Sequence, residues 1–355
     1  MAKYSPTRIQ LTDSGTSSLQ MAIRSALAVR PGPIALPAYS CFDVSTAAEG
    51  AHARVLLYDV DPTTLSPDPA SLEDAIRMGA TAVVIVHLYG VPVDIDMVGS
   101  VLGRHDTILI EDAAQGAGAS FADTPVGSFG DLSVLSFARG KGITGGGGGA
   151  LMTRNPEAAI ALDSVFDLPR RTAGWKQLVR AAGVWLLARP YLYGFVASVP
   201  FLRLGETVYR QPTPSDGITR ASLGILRETF ELSERESETR RHNAAELAAA
   251  LSTGPGGLMA IQAPTRSAPG HLRLPVLMTV PFGKSEWASA ERLGVARGYP
   301  RPLSRLESCR SICDNADDSF PGAELLAAQL ITLPTHSRLT PADKSALRDW
   351  ITDLS

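Results

Sequence analysis

The stretch Ser136-Phe137-Ala138-Arg139-Gly140-Lys141, followed by Gly142-Ile143-Thr144 and five glycines, Gly145–Gly149, decides how this chain is read. It leaves the short apolar run Ser133–Phe137, which has the composition of a strand. A surface lysine normally sits among other charges; Lys141 has glycine on both sides. Glycine has no Cβ, so backbone there can approach a bulky planar ligand closely. A nucleotide phosphate loop needs glycine six residues before the lysine and Ser or Thr just after it. Leu135 and Gly142 hold those places, so that reading fails. The glycine run also lacks the strand–turn placement of a dinucleotide fingerprint.

Working upstream, Ile34–Leu36, Val55–Val60, Ala82–His87 and Thr107–Glu111 are further short runs of apolar or β-branched residues. Helical patterns lie between them; in Leu19–Leu27, the residues Leu19, Ile23, Ala26 and Leu27 share one face. Alternating strands and helices predict a mostly parallel sheet covered on both faces. In such sheets ligands sit at the carboxyl ends of the strands.

Two other segments are placed to meet such a ligand. Glu111-Asp112-Ala113-Ala114-Gln115 follows the strand at Thr107–Ile110. A carboxylate there suits a metal, a helix cap, or a pyridine nitrogen that it would keep protonated. Ser14-Gly15-Thr16-Ser17 precedes the helix at Leu19–Leu27. It reads as an ordinary cap, or as a phosphate cradle using free N–H groups and the positive end of the helix dipole.

Order and spacing join the three. A phosphate cradle near residue 15, an acid near 112 and a lysine near 141 are what a pyridoxal-phosphate (PLP) enzyme of fold type I requires. The sequence resembles the DegT–StrS group of PLP-dependent sugar aminotransferases at SGTSSL (Ser14–Leu19), LPAYS (Leu36–Ser40), HLYGVPVDID (His87–Asp96), EDAAQGAGA (Glu111–Ala119) and VGSFGDLSVLSF (Val126–Phe137). It does so again at Lys141 and at LPTHSRLTPAD (Leu333–Asp343). The resemblance implies an α/β three-layer large domain with a mostly parallel sheet, plus a smaller α/β C-terminal domain. It implies a Schiff base on Lys141, which then moves the proton between the substrate α-carbon and the cofactor. It further implies Asp112 on the pyridine nitrogen, Gln115 on the ring's phenolic oxygen, and Thr16, Ser17 and Ser136 on the phosphate.

The implied reaction moves an amino group, L-glutamate being the expected donor, to the keto group of a nucleotide-linked sugar. A keto-cyclitol or other small ketone is an alternative acceptor. A PLP-dependent sugar dehydratase would carry His in place of Lys141, and a non-catalytic sensor would not need the Lys141–Asp112–Gln115 set. Departures from the family pattern occur around the cofactor ring. The usual stacking aromatic is replaced by Cys41, which leaves Tyr39 and Phe42 as candidate rings. Gln211–Asp216 lacks the Asn that a neighbouring subunit normally lends to the phosphate; Thr213 sits near that place. A homodimer is still implied.

The expected division is a large domain over 1–215, with an apolar insertion at about 165–212, and a small domain over 216–355. Thr340, Pro341 and Asp343 mark the start of a closing helix. A net charge of −3 gives no footprint for nucleic acid or an anionic membrane. Three cysteines, Cys41, Cys309 and Cys313, are too few for a disulfide framework, and no second ligand pair suggests a metal. With no apolar core in the first residues and no long apolar run, the expectation is a cytoplasmic protein.

Overall fold

The computed structural model describes residues 2–165, 173–174, 208–253 and 257–353. Most of the expected insertion at about 165–212 therefore lies outside the described residues.

The main sheet has seven strands: β1 (Arg8–Thr12), β2 (Ile34–Pro37), β3 (Val55–Tyr58), β4 (Ala82–Val86), β5 (Ile108–Asp112), β6 (Leu132–Ser136) and β7 (Gly149–Thr153). Their order is β1-β7-β6-β5-β4-β2-β3. The pairs β3–β2, β2–β4, β4–β5 and β5–β6 are parallel; β7 runs antiparallel to both β6 and β1. Five strands were legible in outline. The antiparallel edge was not: Arg8–Thr12 carries little apolar signal, and β7 opens on the last residue of the glycine run.

Both faces of this sheet are covered. Along β4, Ala82, Val84 and Val86 pack with Leu19 and Ile23 of α1 (Gly15–Val29) and with α2 (Phe42–Gly50). Val83 and Ile85 face the other way, against Leu72 and Ile76 of α3 (Pro69–Arg77) and Val98 of α4 (Ile95–Leu102). Side chains alternate across a strand, so a strand buried on both faces is apolar throughout. Helix α5 (Pro156–Val165) lies against α1.

The helix α6 (Arg220–Thr253) bridges two cores. Leu226 packs beside Phe137 and Tyr4, whereas Ala244 and Leu247 belong to a separate cluster with Val276, Ile331 and Leu347. That second cluster lies on a four-stranded antiparallel sheet of β8 (Leu258–Ala260), β9 (Leu274–Met278), β10 (Ala296–Arg297) and β11 (Leu330–Leu333), in the order β8-β9-β11-β10. Its helices are α7 (Lys284–Arg292) and α9 (Pro341–Asp353), whereas α8 (Pro321–Gln329) touches the sheet but buries Ala323 and Leu326 in the main core. At the start of α9, Thr340 Oγ1 accepts from Asp343 N–H, and Asp343 accepts from Thr340 N–H at 2.9 Å.

Residues 303–330 fold back onto the main core. Leu303, Cys309, Phe320 and Leu326 join the cluster beneath α1 and α2. Val55 N–H donates to Ile312 O, Asp314 N–H donates to Val55 O, and the Asn315 side-chain amide bonds both N–H and C=O of Leu57. Asp59 accepts from Gly322 and Ala323 N–H at the start of α8, both at 2.8 Å.

Candidate active site

The adjacent parallel strands β5 and β6 end on Asp112, one residue beyond the run Thr107–Glu111, and on Ser136, one residue short of the run Ser133–Phe137. The chain leaves β6 into a loop that returns at β7. Phe137 closes it: its N–H donates to Gly148 O, and its C=O accepts from Gly145 N–H. Phe137 is itself fully buried, so the loop is pinned to the core. Lys141 sits within this loop, its N–H donating to Ala138 O, after Gly140 at φ +75°, a left-handed conformation suited to glycine.

The glycine run serves the protein's own packing. A Cβ on Gly149 would lie 2.5 Å from Ser14 O, and one on Gly148 would lie 2.9 Å from Ile218. The closest atoms to Gly148 and Gly149 belong to the start of α1 and the lead into α6.

Ser14 caps α1, accepting from Ser17 N–H at 3.0 Å, while Ser18 N–H donates to Ser14 O. Gly15 and Thr16 thus hold the first two N–H groups of the helix, which no helix can satisfy internally. Gly15 abuts Ser136, where a Cβ would come within 2.7 Å of the serine's own Cβ. The N-terminus of α1 and the Ser136 hydroxyl therefore form one concave corner. Ser17 is buried behind it, its hydroxyl accepting from Ser14 Oγ at 2.9 Å. This corner fits a phosphate.

Asp112 is buried, and its Oδ1 accepts from Ala114 N–H at 2.9 Å. Burial raises its pKa, against the opposing pull of that N–H and of the Lys141 ammonium. Lys141 and Asp112 are therefore within electrostatic reach of each other, and both act on the Cys41 thiol at the head of α2. Burial pushes that thiol up to about 11, so Cys41 is a neutral, weakly polar wall. Asp43, in the first turn of α2, also acts on this group through its charge.

Behind Asp112, the fully buried Glu111 accepts from His87 Nε2 at 3.0 Å, from Phe129 and Gly130 N–H, from Gly127 N–H and from the Ser133 hydroxyl. Burial alone would raise its pKa; His87 and the backbone donors outweigh it and leave it lowered. His87 Nδ1 accepts from Val93 N–H at 3.0 Å, which puts the ring proton on Nε2, toward Glu111. This pair was quoted in the sequence only as part of longer motifs. Acid beside acid on one strand, Glu111-Asp112, was the available signal: successive side chains point to opposite faces, so each has its own task.

Gln115 is buried and fixed at both ends. Its Oε1 accepts from Tyr89 N–H at 3.1 Å, and its Nε2 donates to the Tyr299 hydroxyl at 2.8 Å. The two rings considered for stacking are turned into the core. Tyr39 is 0% exposed, its hydroxyl accepting from Tyr299 N–H, and Phe42 is 4% exposed in the cluster under α1. The rings gathered at Gln115 are Tyr89 and Tyr299, stacked at 5.7 Å with 22° between planes. Nothing in the sequence pointed to Tyr299. Thr213 is exposed in a segment lying along α2, where Arg210 O accepts from Thr46 Oγ1.

Lysine, buried acid, amide and helix-end corner thus converge at the carboxyl ends of β5 and β6 and fit PLP. Among the described residues, no group of three or more His, Cys, Asp or Glu could hold a metal ion, and no helix is long and apolar enough to cross a membrane.

The chain is 40% identical over 150 residues to an L-glutamine:2-deoxy-scyllo-inosose aminotransferase from Streptoalloteichus tenebrarius, a match covering 42% of this chain and 35% of that protein. It is 33% identical over 263 residues to an enzyme of the same name from Micromonospora echinospora, covering 73% of this chain and 55% of that protein. The chain thus aligns with about a third to about half of these relatives' length. The crystal structure of a sugar aminotransferase from Micromonospora echinospora shares the fold, with a TM-score of 0.76 at 20% identity, over 100% of this chain and 89% of that one. The profile of the DegT/DnrJ/EryC1/StrS aminotransferase family matches residues 4–182, about half of the sequence, and the chain belongs to that family.

Proposed function

We propose that this chain is a PLP-dependent aminotransferase that carries an amino group from L-glutamine to the ketone of a cyclitol. The observation that carries the reading is the placement of Asp112, at the end of β5, within electrostatic reach of Lys141 in the loop that follows the adjacent parallel strand β6. The choice of donor and acceptor comes from the relatives, which are named as L-glutamine:2-deoxy-scyllo-inosose aminotransferases. It replaces the L-glutamate and nucleotide-linked sugar expected from family resemblance alone.

PLP is the family's cofactor, and when bound it supplies an electron sink for charge developing at the substrate's amine-bearing carbon. Lys141 Nζ would hold it covalently and, once displaced by the donor's amine, move a proton at that carbon. Asp112 would keep the ring nitrogen protonated, and the positive ring would in turn favour the carboxylate form that burial alone disfavours. Gln115 Nε2 has a second N–H to offer the phenolic oxygen. The N–H groups of Gly15 and Thr16 and the Ser136 hydroxyl would take the phosphate. Cys41 and the core behind it exclude water from one side of the pocket. Two copies would form the working enzyme.

The test is absorbance spectroscopy on the full chain with PLP. L-Glutamine should convert the lysine-bound form to the pyridoxamine form, and 2-deoxy-scyllo-inosose should restore it. Restoration only by a nucleotide-linked keto-sugar would replace the acceptor. A bound cofactor that responds to no amino donor would overturn the transferase reading.

A further inference from the structure

Tyr299 reaches the site from the C-terminal part of the chain and is held there by four residues. Its N–H donates to the Tyr39 hydroxyl at 2.9 Å. That approach needs glycine at 298, where a Cβ would lie 2.3 Å from the same oxygen. Its ring lies against Tyr89 at 5.7 Å and Tyr39 at 5.6 Å. Tyr89 has φ +56°, a left-handed backbone that a bulky side chain adopts only when its surroundings demand it. The demand is visible: Gln115 Oε1 accepts the Tyr89 N–H.

That bond also sets the direction of the next one. With Oε1 committed to a backbone donor, the Gln115 amide cannot be flipped, and its Nε2 must face the Tyr299 oxygen, which it does at 2.8 Å. A phenol that accepts from an amide retains its own proton to donate. The Tyr299 oxygen lies within electrostatic reach of Asp112 and Cys41, so this donor stands at the cofactor end of the pocket. Tyr299 as a residue is only partly buried, although its hydroxyl end is enclosed enough that burial raises its pKa.

We propose that Tyr299 is a specificity-determining residue that donates a hydrogen bond to a ring hydroxyl of the keto acceptor. The proposal rests on the aminotransferase reading above. A cyclitol ketone presents hydroxyl oxygens beside its reacting carbon, and a fixed phenolic donor recognises such an oxygen. A site built to bond a hydroxyl discriminates against the analogue that lacks it, because its own polar group is then left unpaired.

The test measures the two half-reactions separately by stopped-flow absorbance on the full chain with PLP. Tyr299→Phe keeps the ring and its packing and removes the hydroxyl, both the donor and the oxygen that accepts from Gln115 Nε2, while Gln115 stays held through its Oε1 by the Tyr89 N–H. The expected result is an acceptor half-reaction with an apparent KM raised about tenfold. The donor half-reaction with L-glutamine should stay within about twofold, and PLP affinity from an absorbance titration should match the wild type. Against a ketone lacking the neighbouring hydroxyls, wild type and variant should perform equally. Equal losses in both half-reactions, a weakened PLP titration, or no change with either ketone would overturn the assignment. A wild-type protein that performs neither half-reaction would instead overturn the functional reading beneath it.

Discussion

At the scale of single residues, this site depends on burial tuned by few partners. Asp112 is the clearest case. Its pKa is raised by burial, so the cofactor-free folded state holds a proton that the unfolded chain releases at lower pH. The sign follows: Asp112 costs stability as pH rises from the ordinary carboxylate pKa through its raised folded value. Asp112→Asn keeps the oxygen that accepts from Ala114 N–H and removes the buried charge. The cofactor-free variant should therefore melt above the wild type at pH 7, with the gap closing toward pH 4. Its transamination rate should fall by about 100-fold or more, because the ring nitrogen loses its acid partner. Thermal scans across that range check the first expectation; a variant less stable at pH 7 would refute it. The positions of Asp112 and Lys141 relative to the sheet could be read from sequence because their signal is local, an acid at the end of one strand and an amine just beyond another. The Gln115–Tyr299 contact was not, because its partners are 184 positions apart and no pattern links them.

At the scale of elements, the sequence marked the buried parallel strands to within a residue or two, since continuous apolar runs are their own signal. It marked the edge poorly. β7 begins at Gly149, where glycine looks like loop, yet the strand can pass the head of α1 only there. A methyl at 149 would lie 2.5 Å from Ser14 O and 2.6 Å from Ser18 Oγ, so α1 would have to shift. Gly149→Ala should cost about 2 kcal/mol of stability, as overpacking does. PLP affinity should fall too, because Ser14 sets the cap that presents the Gly15 and Thr16 N–H groups. Urea unfolding and a PLP titration measure the two effects. Loss of stability with unchanged affinity would separate the α1 head from the phosphate corner.

At the scale of the whole molecule, residues 303–330 tie the C-terminal part of the chain to the main core. The knot is Asp59, just past β3, whose two oxygens accept the first N–H groups of α8. Asp59→Ala leaves these donors unsatisfied in a buried setting and should cost about 2 kcal/mol in urea unfolding. Because Gly298 and Tyr299 lie just before that stretch, with Gly298 N–H donating to Leu330 O at its far end, the variant should also weaken turnover of the keto acceptor more than that of the amino donor. Equal effects on the two would show that the knot acts on stability alone.

Asn315 meets β3 at the outermost position of the seven-stranded sheet, where its amide bonds Leu57 both as donor and as acceptor. A side chain has thereby taken the place that an eighth strand would occupy. The sheet ends there by blockade, since a foreign strand offered to that margin finds its hydrogen bonds already spent. A lesion at Asn315 would accordingly first be noticed as clumping during expression, before any change in chemistry was measured.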